Sequence, residues 1–81
     1  MAWINIIVYS TPHCPYCTMV KNYLQEKGIK FINKDVSLDR EAAKEMVRKS
    51  GYLGVPQTEI NGKVIIGFDR PALEEELKNI E

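Results

Sequence analysis

The 81-residue sequence lacks an excess of charge of either sign: eleven Lys plus Arg stand against eleven Asp plus Glu, with a single His, for a formal net charge of zero at pH 7. The absence of a basic block argues against a phosphate-neutralising surface as the protein's main business, and nucleic acid is not expected as a partner. No apolar run approaches the ~20 residues that cross a bilayer. The longest, Trp3 to Tyr9, is interrupted by Asn5 and has neither a basic leader nor a small-residue cleavage site, so neither membrane insertion nor export is expected. The two cysteines, Cys14 and Cys17, are too few and too close to staple a secreted fold, which points to a cytoplasmic protein whose thiols do chemistry. Repeats, linkers and low-complexity tracts are also missing. The length leaves room for one domain, residues 1–81, with a marginal core. Hydrophobic residues at 44% and charged residues at 27% are the balance of a chain that folds alone.

Periodicity orders the elements. Trp3 to Tyr9 is nearly all apolar and β-branched, as in a central strand covered on both faces. From Pro15 the period changes: Tyr16, Met19, Val20, Tyr23 and Leu24 recur at helical spacing, with Met19 and Tyr23 assigned to the core, until Lys27-Gly28 stops the helix. Ile29 to Val36 reads as a second strand with Phe31 and Ile32 as its core and one exposed edge. Ser37-Leu38-Asp39 supplies a capping oxygen for a second helix, lined by Ala43, Met46, Val47 and Ser50 and stopped by Gly51. Gln57 to Ile60 and Lys63 to Ile66 flank Asn61-Gly62, the dipeptide of a type I′ hairpin. Asp69 caps a last helix with Pro71 in its first turn and Leu73, Leu77 and Ile80 as its stripe. The succession is β-α-β-α-β-β-α: an α/β fold with a mixed four-stranded sheet, the first two strands parallel and the last two antiparallel, and three helices covering both faces.

The chemistry concentrates in Cys14-Pro15-Tyr16-Cys17, where the first strand has ended and the first helix begins. A thiol at a helix start faces the unsatisfied N–H groups of the first turn and the positive end of the dipole, and both favour the thiolate. The three-residue offset sets Cys17 inside the first turn, less exposed. Cys14 is then the sulfur that attacks an external disulfide, and Cys17 the one that displaces it from the mixed species. Pro15 suits the first helical position because it has no N–H to leave unsatisfied. The bland alternative is a pair of inert or statically bridged cysteines.

Around this pair, His13 could add positive charge when protonated, although a loop histidine is more often solvated. Tyr16 is placed on the rim, flanking a bound thiol, rather than in the core. Val55-Pro56 precedes the third strand, where a proline belongs because it cannot donate to a sheet. A cis bond there would free the N–H and C=O of Val55 to pair with an extended substrate, but few X–Pro bonds are cis and a trans turn is the default.

Cys14-Pro15-Tyr16-Cys17, Val55-Pro56-Gln57 and Gly67-Phe68-Asp69, in this order and approximate spacing, resemble a glutaredoxin over almost the whole chain. The resemblance implies the thioredoxin-type fold, a cis Pro56 beside the cysteines, Cys14 as nucleophile and Cys17 as resolving thiol. It implies a monomer that serves redox homeostasis by reducing protein disulfides or glutathione mixed disulfides, with glutathione as co-substrate and no tightly bound cofactor. Glutathione would lie along Val55, Pro56 and Tyr16, its glutamyl end at Gly67, Phe68 and Asp69 at the turn into the last helix. The chain has Thr11 where many members carry a lysine, and Ile66 and Arg70 around Gly67-Phe68-Asp69 where they carry a glycine and an acid. Phe68 with Arg70-Pro71 is similar to the small glutaredoxin-like electron donors of ribonucleotide reductase, which draw on thioredoxin reductase, though those usually lack Pro-Tyr between the cysteines. A competing class is a metal or iron–sulfur module. His13, Cys14 and Cys17 are one ligand short of a closed tetrahedral site, so only a dimer could complete it, and Pro15 is unfavourable for a cluster in the family.

Overall fold

A computed structural model of the chain describes residues 6–78. These form β1 (Ile6–Ser10), α1 (Pro15–Glu26), β2 (Ile32–Asp35), α2 (Arg40–Ser50), β3 (Gln57–Ile60), β4 (Lys63–Ile66) and α3 (Arg70–Lys78). The sheet order is β2-β1-β3-β4, with β1 parallel to β2 and the other two pairings antiparallel. The expected architecture is therefore the observed one. Local chemistry fixes most boundaries. Asn61 and Gly62 turn β3 into β4 at φ 50° and 86°, the two positive angles a type I′ turn demands. At α2 the Asp39 carboxylate accepts the Ala42 N–H at 3.1 Å, and Gly51 closes the helix at φ 79°, its own N–H reaching the Val47 carbonyl at 2.7 Å.

Alternation along β1 divides the core in two. Ile6 and Val8 pack with Val20, Leu24, Leu73 and Leu77 beneath α1 and α3, whereas Tyr9 packs with Ala42 and Met46 beneath α2, with Ile7 against them. Two core assignments are corrected by this geometry. Ile32 is 55% exposed, because β2 is an edge strand and Ile32, in register with Ile7, lies on the face that α2 alone covers. Met19 is 46% exposed: Cys17, Val20 and Leu24 form the sheet-facing line of α1, and Met19 stands off that line. The second strand is also shorter than the expected Ile29 to Val36, and Ala42 rather than Ala43 is the buried alanine of α2. Ile29 and Phe31 precede β2 as partly buried side chains packed on the core. The expected strand start at Trp3 and the Ile80 contact lie outside the described residues.

The face under α2 holds a chain of charges. The Tyr9 phenol donates to Glu45 at 2.6 Å, Lys34 donates to the same carboxylate oxygen at 2.9 Å, and Lys49 bridges Tyr9 at 3.3 Å and Glu59 at 2.8 Å. Burial and the Glu45 partner push the Tyr9 phenol up to about 12, and the bonds from Tyr9 and Lys34 hold Glu45 down at about 2. A carboxyl depressed in the folded state adds stability above its unfolded pKa and loses it as the pH falls toward the folded value. Glu45→Gln is therefore expected to lower stability by about 1–2 kcal/mol at pH 7. The gap from the wild type narrows between the ordinary glutamate range and pH ~2, as urea unfolding at a series of pH values would measure.

Candidate active site

The end of β1 leads through Thr11, Pro12 and the exposed His13 to Cys14, which caps α1 from an extended conformation (φ −101°, ψ 112°), with Pro15 at the first helical position. The Cys14 Sγ accepts the Cys17 backbone N–H at 3.3 Å, and the Cys14 carbonyl accepts the Thr18 N–H at 3.2 Å. A sulfur thus takes the role that a serine or aspartate oxygen usually has at a helix start. Both cysteines are free thiols. Cys14 is half-buried, whereas Cys17 is fully buried on the sheet side of the first turn. Burial, reinforced by its hydrogen bond with Cys14, pushes the Cys17 thiol up to about 11. The two sulfurs are therefore unequal: one accessible and aligned with a donor, the other sheltered and protonated.

The Val55–Pro56 bond is cis, and the Cys14 thiol donates to the Val55 carbonyl at 3.8 Å. The Pro56 carbonyl accepts the Gly67 N–H at 2.8 Å, which ties the turn before α3 to the same corner. Gly67 holds φ 77°, where a side chain would be strained. Asp69 caps α3 by accepting the Ala72 N–H at 3.2 Å. Phe68 is half-buried, its ring edge-on to Tyr23 at 6.0 Å, and the Arg70 guanidinium sits 5.6 Å from the centre of the Tyr23 ring. Tyr16 is 60% exposed and stands outside the core. The structure thus brings the Cys17 N–H and the Val55 carbonyl, held by the cis bond to Pro56, to the Cys14 sulfur. Gly67 joins them through the Pro56 bond, while Phe68 and Asp69 are occupied by packing and capping one turn further on. A concavity of about 490 Å³ lined by Ile7, Ile32, Lys49, Glu59, Asn61 and Gly62 lies on the α2 face toward the hairpin end and contains neither cysteine. Among the described residues, no three His, Cys, Asp or Glu side chains are grouped to hold a metal ion.

One participant was not legible as such. The Gln57 side chain is fully buried, and its Nε2 donates to the carbonyls of Tyr52 at 3.0 Å and Gly54 at 2.8 Å, fixing the loop that delivers Val55. Only the placement of a polar residue directly after Val55-Pro56, at the start of an interior strand, could have hinted at it.

The glutaredoxin family model matches residues 6–65. The chain belongs to the glutaredoxin family. It is 39% identical over 69 residues to an uncharacterized glutaredoxin-like 8.6 kDa protein of the rubredoxin operon of Clostridium pasteurianum, covering 85% of this chain and 92% of that one. It is 39% identical over 67 residues to glutaredoxin 3 of Escherichia coli K12, covering 80% of this chain and 78% of the relative. Among solved structures, a crystallised mutant of a thioredoxin-like protein superposes with a TM-score of 0.87 at 32% identity, covering 95% of this chain and 97% of that one. Family and fold together make this glutaredoxin a thiol–disulfide oxidoreductase.

The unequal burial of the sulfurs has a direct readout. Brief iodoacetamide treatment of the reduced protein at pH 7 is expected to alkylate Cys14 and leave Cys17 unmodified, because Cys14 is accessible whereas Cys17 is fully buried and its thiol is held protonated. Peptide mapping by mass spectrometry checks this, and equal labelling of the two would refute the assignment.

Proposed function

We propose that this glutaredoxin reduces protein disulfides and glutathione mixed disulfides in two displacements, with Cys14 as nucleophile and Cys17 as resolving thiol. The observation that carries the reading is the Cys17 N–H aimed at the Cys14 Sγ at 3.3 Å, with the Cys17 thiol buried directly behind it. In the first displacement the Cys14 sulfur attacks one sulfur of the substrate; the S–S bond breaks and the departing thiolate takes up a proton. The donor aligned with Sγ acts on charge at sulfur in both directions of exchange, when Cys14 attacks and when it leaves. In the second displacement Cys17 attacks the Cys14 Sγ, and its proton passes to the departing thiolate. The protein is left with a Cys14–Cys17 disulfide, and the substrate has gained two electrons.

Glutathione is the proposed reductant that reopens this disulfide. Its peptide backbone would run along the Val55 carbonyl beside Cys14, with Tyr16 flanking the sulfur and Gly67, Phe68 and Asp69 near the amino end of α3, a sensible place for a carboxylate. The protein would work as a monomer in the cytoplasm, where the dithiol is kept reduced. Thioredoxin reductase is the second candidate source of electrons, favoured by the likeness of Phe68 with Arg70-Pro71 to the small glutaredoxin-like electron donors of ribonucleotide reductase.

Two coupled assays following NADPH oxidation separate these sources, one with glutathione and its reductase and one with thioredoxin reductase. Turnover in the first is the expected result, and turnover confined to the second would replace glutathione in the scheme. In the productive assay, Cys14→Ser is expected to abolish activity. Cys17→Ser should retain part of the glutathione mixed-disulfide reduction, which needs a single protein thiol. Full activity of Cys14→Ser would overturn the mechanism.

A further inference from the structure

Seven large apolar side chains are well exposed among the described residues, and the Tyr52 and Leu53 pair is set apart by where it stands and how it is held. Tyr52 is 60% and Leu53 80% exposed, in a stretch from Gly51 to Pro56 that contains no charged residue. The frame beneath them is fixed. Buried Gln57 donates to the carbonyls on either side of Leu53, the Tyr52 N–H donates to the Ser50 hydroxyl at 3.0 Å, and Gly51 terminates α2 in the left-handed region. Apolar side chains carried on a loop that is already ordered can bind without the entropic cost of ordering it.

We propose that Tyr52 and Leu53 determine specificity, selecting partner proteins that present a large apolar side chain next to the cysteine being reduced. The proposal rests on the dithiol reading above and names its polypeptide substrate. Leu53 stands two residues before Val55, whose carbonyl is 3.8 Å from the Cys14 Sγ, so at most about 7 Å of chain separates Leu53 from Val55. A partner segment lying along Val55 with its sulfur on Cys14 would therefore bring its adjacent side chain to the Tyr52 and Leu53 surface. Tyr16, two residues beyond Cys14, supplies an apolar flank from α1. Glutathione shares the Val55 path in this scheme, but it carries two carboxylates and no large apolar side chain for Tyr52 and Leu53 to select. The reaction is the balanced exchange given above, in which the partner disulfide becomes two thiols and the dithiol becomes the Cys14–Cys17 disulfide.

The test uses two disulfide-cyclised peptides that differ only in having Leu or Ser beside the reactive cysteine, with bis(2-hydroxyethyl) disulfide as a substrate too small to reach the loop. The variant is Tyr52→Ser combined with Leu53→Ser, which keeps every backbone group that Gln57 and Ser50 hold. The wild type should show a kcat/KM about tenfold higher on the Leu peptide, a gap within what burial of one such side chain supplies. The variant should lose that preference to about twofold or less while reducing bis(2-hydroxyethyl) disulfide at the wild-type rate. A wild type indifferent to the peptide pair, a variant that keeps the preference, or a parallel loss on all three substrates would overturn the proposal. Failure of the wild type on bis(2-hydroxyethyl) disulfide would instead sink the dithiol reading, and the proposal with it.

Discussion

The hydrogen bond from the Cys17 amide to the Cys14 sulfur is the contact on which the rest of the site depends. A helix start leaves its first N–H groups without intrahelical partners, and something polar must meet them. Here the group that meets one of them is the Cys14 sulfur, the proposed nucleophile. Capping and chemistry are therefore one interaction, and the same first turn that presents Cys14 buries Cys17 behind it. Pro15 fits between them because its position in the turn has no amide to satisfy.

The fold's contribution is to hold that first turn against a fixed opposing surface. β1 is interior to the sheet and packed on both sides, by α1 and α3 across Ile6 and Val8 and by α2 across Tyr9. The loop into α1 thus starts from one of the most constrained strands in the molecule. Opposite it, Val55 and Pro56 enter β3, whose pairing with β1 from Tyr9–Gln57 to Ile6–Ile60 fixes their distance from Cys14. Gln57 and the Pro56 to Gly67 bond then tie the flanking loops to this corner. The charge chain under α2 serves the same end, since Tyr9 stands one residue from the end of β1, just before the active-site loop, and is held by Glu45 and Lys49.

What the sequence made legible was whatever short-range chemistry decides. The Asn61-Gly62 turn, the Asp39 and Gly51 caps of α2 and the thiol at the start of α1 each follow from a few adjacent residues. What escaped depends on partners distant in the chain. Ile32 reads as core until the sheet order makes β2 an edge, and Met19 until the buried line of α1 is known to run through Cys17. Gln57 reads as an ordinary strand polar residue, because its acceptors are set by a loop whose path no local pattern dictates. The cis geometry at Pro56 was likewise carried by the resemblance to a family and not by the residues themselves.

The most direct test is amide hydrogen exchange at Cys17, followed by NMR in the reduced wild type and in Cys14→Ala. Cys17 lies in the first turn, where no carbonyl of its own helix can accept its N–H, so the sulfur is its partner. The account predicts slow exchange in the wild type and an acceleration of about tenfold or more in the variant, with the amides of the last two turns of α1 unchanged. Equal exchange at Cys17 in the two proteins would contradict it.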